Sequence, residues 1–373
     1  MNRSFIRILI TGAIVFLVLT IVSIIAIATV NSVGLLGGVN ILPSGTAFVP
    51  KQAPATISLL ANPEQLYGIR QVTLPLKKRF SDRQQWQQWS KDNFSKLALD
   101  YRQLKPWLGN EFTLAVTDLD YDRNLNNGVE PGYLIAAKIK NVKLAREFLE
   151  NLYPQKDLVS VDRYKGANII AYSPSAKRSK ISSSAIVGNF VLFANHPQII
   201  REAINQAQAI SLNLQHSDKY QQALANITQP RIAIAYIDVP KTLTWLDKSG
   251  VVEPDETNID RTLSAFLSIS QKDLVAHTAL SNSTDEQASF KIFKSLLNNP
   301  ELERVFQHLF LQGNRLNYID LNAKTPLSTQ TPFDEVAKLA IKGLFPHLDA
   351  IAIEDKGSEN NIARTEILFK LDS

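Results

Sequence analysis

The sequence contains no cysteine, and its one methionine is Met1. Without thiols there are no disulfides, no thiolate metal sites and no cysteine nucleophile. A chain with almost nothing on the sulfur oxidation ladder suits an oxidising compartment. Strong charge of one sign is missing as well. A net charge of +5 over 373 residues, with a pI near 9.1, is ordinary colloidal charge, so a nucleic-acid partner is not expected. The 17 prolines and 15 glycines are scattered, which excludes collagen-like and linker-rich designs. Gly-x-Ser-x-Gly elbows, Ser-x-x-Lys pairs, Walker loops and His-Glu-x-x-His helices do not occur. Their absence removes the commonest hydrolase, penicillin-binding, nucleotide and zinc-peptidase signatures.

What is present begins with a long uncharged run. Arg3 and Arg7 precede the 23 residues from Ile8 to Val30, and the next charge is Lys51. As a helix such a run spans about 34 Å, slightly more than a bilayer core. The positive flank predicts residues 1–7 as a cytoplasmic tip, residues 8–30 as a transmembrane anchor in contact with the membrane, and the remainder on the opposite face. Ala26-Ile27-Ala28 has the small-x-small form of a signal-peptidase site. The apolar stretch before it exceeds a usual signal core, which favours retention as an anchor. No second run is long enough to span.

Residues 31–45 are Gly-rich, uncharged and aperiodic, the composition of a tether. Beyond them we expect a first lobe over 46–228 and a second over 229–373, meeting near Gln229 and Pro230. Ala55–Ala61 reads as a strand closed by Asn62-Pro63, and Ser81–Tyr101 as a helix with Trp86, Trp89, Phe94, Leu97 and Tyr101 on one face. Glu111–Thr117 and Tyr133–Ile139 form a hairpin pattern, followed by an Asn141-capped helix that carries Leu144, Phe148, Leu149 and Leu152 on one side. Two more hairpins are expected, Val159–Tyr164 with Ala167–Tyr172 and Ser183–Val187 with Phe190–Ala194. Pro197 then opens a helix with Ile199, Ile200, Ala203, Ile204 and Ala207 as its apolar stripe. Interleaved helices and hairpins predict α+β, with antiparallel sheets and packed helices.

Internal repetition supports that plan. Tyr236-Ile237-Asp238 recurs as Tyr318-Ile319-Asp320, and Leu104-Lys105-Pro106-Trp107-Leu108 is echoed by Leu344-Phe345-Pro346-His347-Leu348 ahead of strands at Asp349–Ile353 and Thr365–Leu371. The unit is a duplicated β-α-β-β, in two lobes.

Several features together resemble a known family: the anchor, Val49-Pro50, Ala53-Pro54, Asn62-Pro63, and Leu104-x-Pro106-Trp107-Leu108-Gly109 before a hairpin. Lys165-Gly166, Gly188 with Val191-Leu192, the Pro197 helix, and Ser217 with Tyr220 and Leu224 extend the pattern. Over residues 45–373 the chain is similar to the cyanobacterial domain of unknown function 3352 family. That resemblance implies a single-pass protein of the envelope or thylakoid, with its main domain periplasmic or lumenal, and brings no catalytic residues with it.

Asp118-x-Asp120-x-Asp122, with Asn124, Asn126 and Asn127, is the densest set of oxygen ligands and the candidate metal site. A calcium loop needs Gly at its sixth position and Glu at its twelfth, where this chain has Arg123 and Val129, so a polar hairpin tip ending in Asn127-Gly128 is the better reading. His196, His216, His277, His308 and His347 have no partner at helical metal spacing. Asp238 and Asp320 close the repeated strands, where capping is expected of them. Lys77-Lys78-Arg79 and Lys177-Arg178-x-Lys180 read as solvated loop charge, and Trp86 and Trp89 as core. No catalytic or cofactor-binding residue is assigned. The expectation is a non-enzymatic interaction or assembly factor for a membrane protein complex. The alternative is a binding module for a lipid, pigment or other small hydrophobic ligand, held in an apolar pocket.

Overall fold

The structure, a computed structural model, describes residues 42–60, 81, 84, 101–124, 130–153, 158–172, 182–225, 231–241, 262–270, 273–281, 316–320, 348–360 and 362–371. The expected anchor at 8–30, most of the 81–101 helix with Trp86 and Trp89, both basic clusters, Asn126 to Gly128, His308 and His347 lie outside them. Among the described residues no helix is long and apolar enough to cross a membrane.

The described residues up to Ala225 fall in one compact unit and those from Arg231 onward in a second. In the first unit the strands are β1 (Ala55–Leu59), β2 (Leu108–Asp118), β3 (Gly132–Ile139), β4 (Val159–Tyr164), β5 (Ala167–Tyr172), β6 (Ser183–Val187) and β7 (Phe190–Ala194). They lie in the order β1-β2-β3-β7-β6-β5-β4, every neighbouring pair antiparallel. Its helices are α1 (Tyr101–Leu104), α2 (Val142–Asn151), α3 (Pro197–Gln208) and α4 (Asp218–Ala225). The second unit carries β8 (Ala233–Asp238), β9 (Thr262–Ser270), β10 (Asp273–Ser281), β11 (Leu316–Asp320), β12 (Leu348–Glu359) and β13 (Ile362–Leu371), ordered β11-β12-β13-β10-β9-β8 and again antiparallel throughout. Antiparallel α+β is therefore the observed class.

Local chemistry explains the ends of these elements. Lys165 and Gly166 both have positive φ, 46° and 87°, the type I′ geometry that matches strand twist in the two-residue β4–β5 loop. Gly188, at φ 57°, supplies the left-handed residue between β6 and β7. Asn141 caps α2 by accepting from Leu144 N at 3.1 Å. Pro197 opens α3, its missing N–H costing nothing there, and His196 Nδ1 accepts from Gln198 N at 3.2 Å.

The core of the first unit follows from side-chain parity on β3 and β7. Ile135, Val191 and Phe193 face Trp107 and the Phe148–Leu149 side of α2. Phe190, of opposite parity, meets Phe48 edge-on at 5.2 Å. That ring belongs to the 3-10 turn Ser44–Phe48. These central strands are thus covered on both faces, and β7 is buried along its whole length. The edge strand β4 is mostly exposed and carries Asp162 and Arg163, charges that discourage further strand pairing.

Candidate functional site

Two polar clusters have the residue types of chemistry, one in each unit. The first is built on β2. Register slips between Leu108 and Phe112, and from Glu111 onward Glu111, Thr113 and Thr117 are buried on one face while Phe112 and Leu114 pack toward Trp107 and α2. Ser58 on β1 stands opposite Thr113, and their hydroxyls are 2.9 Å apart. Glu111 accepts from Ser44 Oγ at 2.6 Å and from Gly45 N at 2.5 Å, and Lys138 Nζ approaches its Oε2 at 3.3 Å. Lys138 Nζ also donates to Ser44 Oγ at 3.3 Å. A serine beside a lysine has the parts of a Ser–Lys nucleophile, but here the Ser44 hydroxyl donates to the Glu111 carboxylate, so its proton is directed to Glu111 and not to the lysine. The cluster is a clamp. It fastens the 3-10 turn, whose first residues fall in the expected tether, onto the sheet. Gly45 fits because a Cβ there would stand 2.5 Å from Thr113 Oγ1.

The second cluster spans β9, β10, β12 and β13. His277 lies opposite Phe266 on one side and Glu366 on the other. Its ring stacks on Phe266 at 4.5 Å. Nε2 is 3.1 Å from Ser268 Oγ, Nδ1 is 3.8 Å from Glu366 Oε2, and Lys356 Nζ reaches the same carboxylate oxygen at 3.2 Å. Serine, histidine and glutamate in that order are the members of a hydrolase triad. The surroundings do not complete one. Ser268 is buried in β9 opposite Val275 of β10, so its hydroxyl is shielded from solvent. Its hydroxyl also reaches Val275 O at 3.4 Å. The arrangement serves as a cross-strand fastening.

The Asp118, Asp120 and Asp122 carboxylates turn onto their own hairpin. Asp118 accepts from Asp120 N at 3.2 Å, Asp120 from Glu130 N at 3.2 Å, and Asp122 from Asn124 N at 3.1 Å. Arg123 Nη2 stands 3.9 Å from Asp118. Among the described residues no three His, Asp or Glu side chains converge as a metal site. His216 Nδ1 bonds Asn213 Oδ1 at 2.8 Å, and the His196 ring lies 4.8 Å from that of Tyr121, tilted by 32°. Asp238 accepts from Lys241 N at 3.3 Å and pairs with Lys241 Nζ at 2.8 Å, the geometry of a helix cap. Asp320 ends β11. Glu111, Ser44 and Lys138 were not singled out by motif. The signal for them is the period-two polar stripe Glu111-x-Thr113-x-x-x-Thr117 inside a strand that is buried on that side.

A family model described as protein of unknown function (DUF3352) matches residues 9–293. The chain belongs to that family. The matched span takes in the whole of the Glu111 clamp together with Ser268 and His277, and stops short of Glu366. No curated protein matches the chain. Solved structures of TP0453 in crystal forms IV, I and III are similar over 65%, 69% and 89% of this chain and 81%, 86% and 95% of theirs. Identity is 8%, 10% and 8%, with TM-scores of 0.33, 0.32 and 0.34.

Histidine burial gives the fold a pH dependence. Burial holds His277 below its ordinary value, with Glu366 opposing that shift and Lys356 reinforcing it. His196 is lowered in the same way. A histidine that binds its proton more weakly when folded contributes stability above the unfolded-state value, near 6.5, and loses it as the pH falls from there toward the folded-state value. The urea midpoint should therefore drop on moving from about pH 7.5 to about pH 5.5, and His277→Gln should show a smaller drop. Equal drops in the two proteins would show that His277 contributes none of it.

Proposed function

We propose that this family member is a single-pass membrane protein acting as a non-enzymatic interaction or assembly factor for a membrane complex, in a cyanobacterial envelope or thylakoid. The observation that carries the proposal is the uncharged run Ile8–Val30, with Arg3 and Arg7 on its N-terminal side and no charge before Lys51. Under this reading the N-terminus is cytoplasmic and the folded units lie in the periplasm or thylakoid lumen. The use of the clusters agrees with it. Glu111, Ser268, His277 and the Asp118 hairpin spend their polar groups on holding strands and turns together. The architecture proposed with it is a duplicated β-α-β-β plan in two lobes, supported by the two Tyr-Ile-Asp triplets that close β8 and β11.

The test is crosslinking in intact membranes, then detergent solubilisation and affinity recovery of the tagged full chain, with mass spectrometry for proteins and extraction for lipids and pigments on one sample. Reproducible membrane-protein partners without a stoichiometric small molecule are expected. A stoichiometric lipid or pigment and no protein partner would overturn the assembly reading in favour of a ligand-binding module.

A further inference from the structure

Large apolar side chains exposed among the described residues are few, and three of them lie either on the entering segment or on the turn hydrogen-bonded to it. Leu42 is 43% exposed, Ile210 61% and Leu212 42%. Ile210 and Leu212 belong to the 3-10 turn that follows α3. This turn is stitched to the entering segment: Lys51 N donates to Leu212 O at 2.9 Å, Leu214 N donates to Val49 O at 2.7 Å, and Pro50 bridges Asn213. Leu42 is the first described residue of that same segment. Isolated exposed leucines need no explanation, but apolar groups concentrated on two adjoining segments do.

We infer that the surface carrying Lys51, Ile210 and Leu212 rests on the lipid bilayer, with Ile210 and Leu212 entering the headgroup region of the leaflet from which the chain emerges. This rests on the proposed anchor. Between Val30 and Leu42 stand only 11 residues. Fully extended they reach at most about 40 Å. Val33, Leu35, Leu36, Val39 and Ile41 are among them and no charge is, a composition compatible with the bilayer interface. Lys51, exposed and hydrogen-bonded through its backbone to Leu212, is the first cation after Arg7 and is placed to meet anionic headgroups. A protein or ligand partner would not require the apolar groups to lie at the point of chain entry. A bilayer held within reach of the tether by the anchor gives a reason for that placement.

The absence of native cysteine makes the test direct. The full chain carrying Ile210→Cys or Leu212→Cys, labelled with an environment-sensitive fluorophore, is reconstituted in phosphatidylcholine–phosphatidylglycerol vesicles containing doxyl-labelled lipid in both leaflets. Val161→Cys on β4, 63% exposed, is the control. Flotation of the same vesicles reads the anchor. The expected result is that the chain floats, the labels at 210 and 212 shift to the blue and are quenched several-fold more than the label at 161, and quenching by interfacial doxyl exceeds that by deep doxyl. If the chain floats while all three labels behave alike, the surface stands off the bilayer and the inference fails, though the anchor stands. A chain that does not float overturns both.

Discussion

Replacing Glu111 by alanine should lower the stability of the first unit by about 3–5 kcal/mol, the range for breaking a buried ion pair from one side. The carboxylate is 2% exposed and accepts from Ser44 Oγ and Gly45 N while facing Lys138 Nζ. Its removal leaves the buried Gly45 N–H without an acceptor, which alone costs about 1–3 kcal/mol. Lys138 is 29% exposed and can turn to water, which places the expected value toward the lower end of the range. Glu111→Gln retains an acceptor for Gly45 and should lose about half as much. The check is urea unfolding of the full chain, with hydrogen exchange at Gly45 to Val49 as the local readout. That turn should exchange much faster in Glu111→Ala, and faster exchange there should accompany the lowered midpoint. A loss below about 1 kcal/mol with unchanged exchange would mean that the 3-10 turn is held by Phe48 packing and not by the clamp.

The second large effect is expected at Trp107. Its side chain is 1% exposed and meets Phe148 at 5.3 Å and Phe193 at 6.4 Å between ring centres, joining the β2 entry to α2 and β7. Trp107→Ala opens a cavity among aromatic rings and should cost about 3–5 kcal/mol. Trp107→Phe should cost far less, about 1 kcal/mol, for a specific reason: the indole Nε1 has no hydrogen-bond partner among the described residues, so phenylalanine removes an unsatisfied donor along with the lost volume. The measurement is the same denaturation series. Comparable losses for the two substitutions would show that the indole N–H is satisfied in solution.

Where sequence reading and structure agree, the information is local. The β4–β5 and β6–β7 hairpins lie at the expected residues, because apolar alternation and the left-handed residues at Lys165, Gly166 and Gly188 are written within a few positions of one another. The caps of α2 and α3 were legible for the same reason, Asn141 and Pro197 acting on the first turn that follows each. The β2–β3 hairpin was expected at Glu111–Thr117 and Tyr133–Ile139, but β2 begins at Leu108 because a register slip lets the strand continue past Glu111. The candidate site was read from spacing, which drew attention to Asp118, Asp120 and Asp122, residues whose oxygens the hairpin turns back on its own N–H groups.

The sequence by itself determined the class of element along much of the described chain, the antiparallel α+β character, and the uncharged run on which the membrane proposal stands. These depend on periodicity, turn chemistry and hydropathy, each carried by neighbouring residues. Only tertiary structure decided that β3 pairs with β7 across an intervening helix, one hairpin and β6, that Ser44 and Glu111 meet, and that Ser268, His277 and Glu366 come together on three strands. Contacts between residues far apart in the chain depend on which strand edges remain unpaired once the local hairpins form, and on which polar groups find partners when buried, conditions set by the whole fold and not by any one segment.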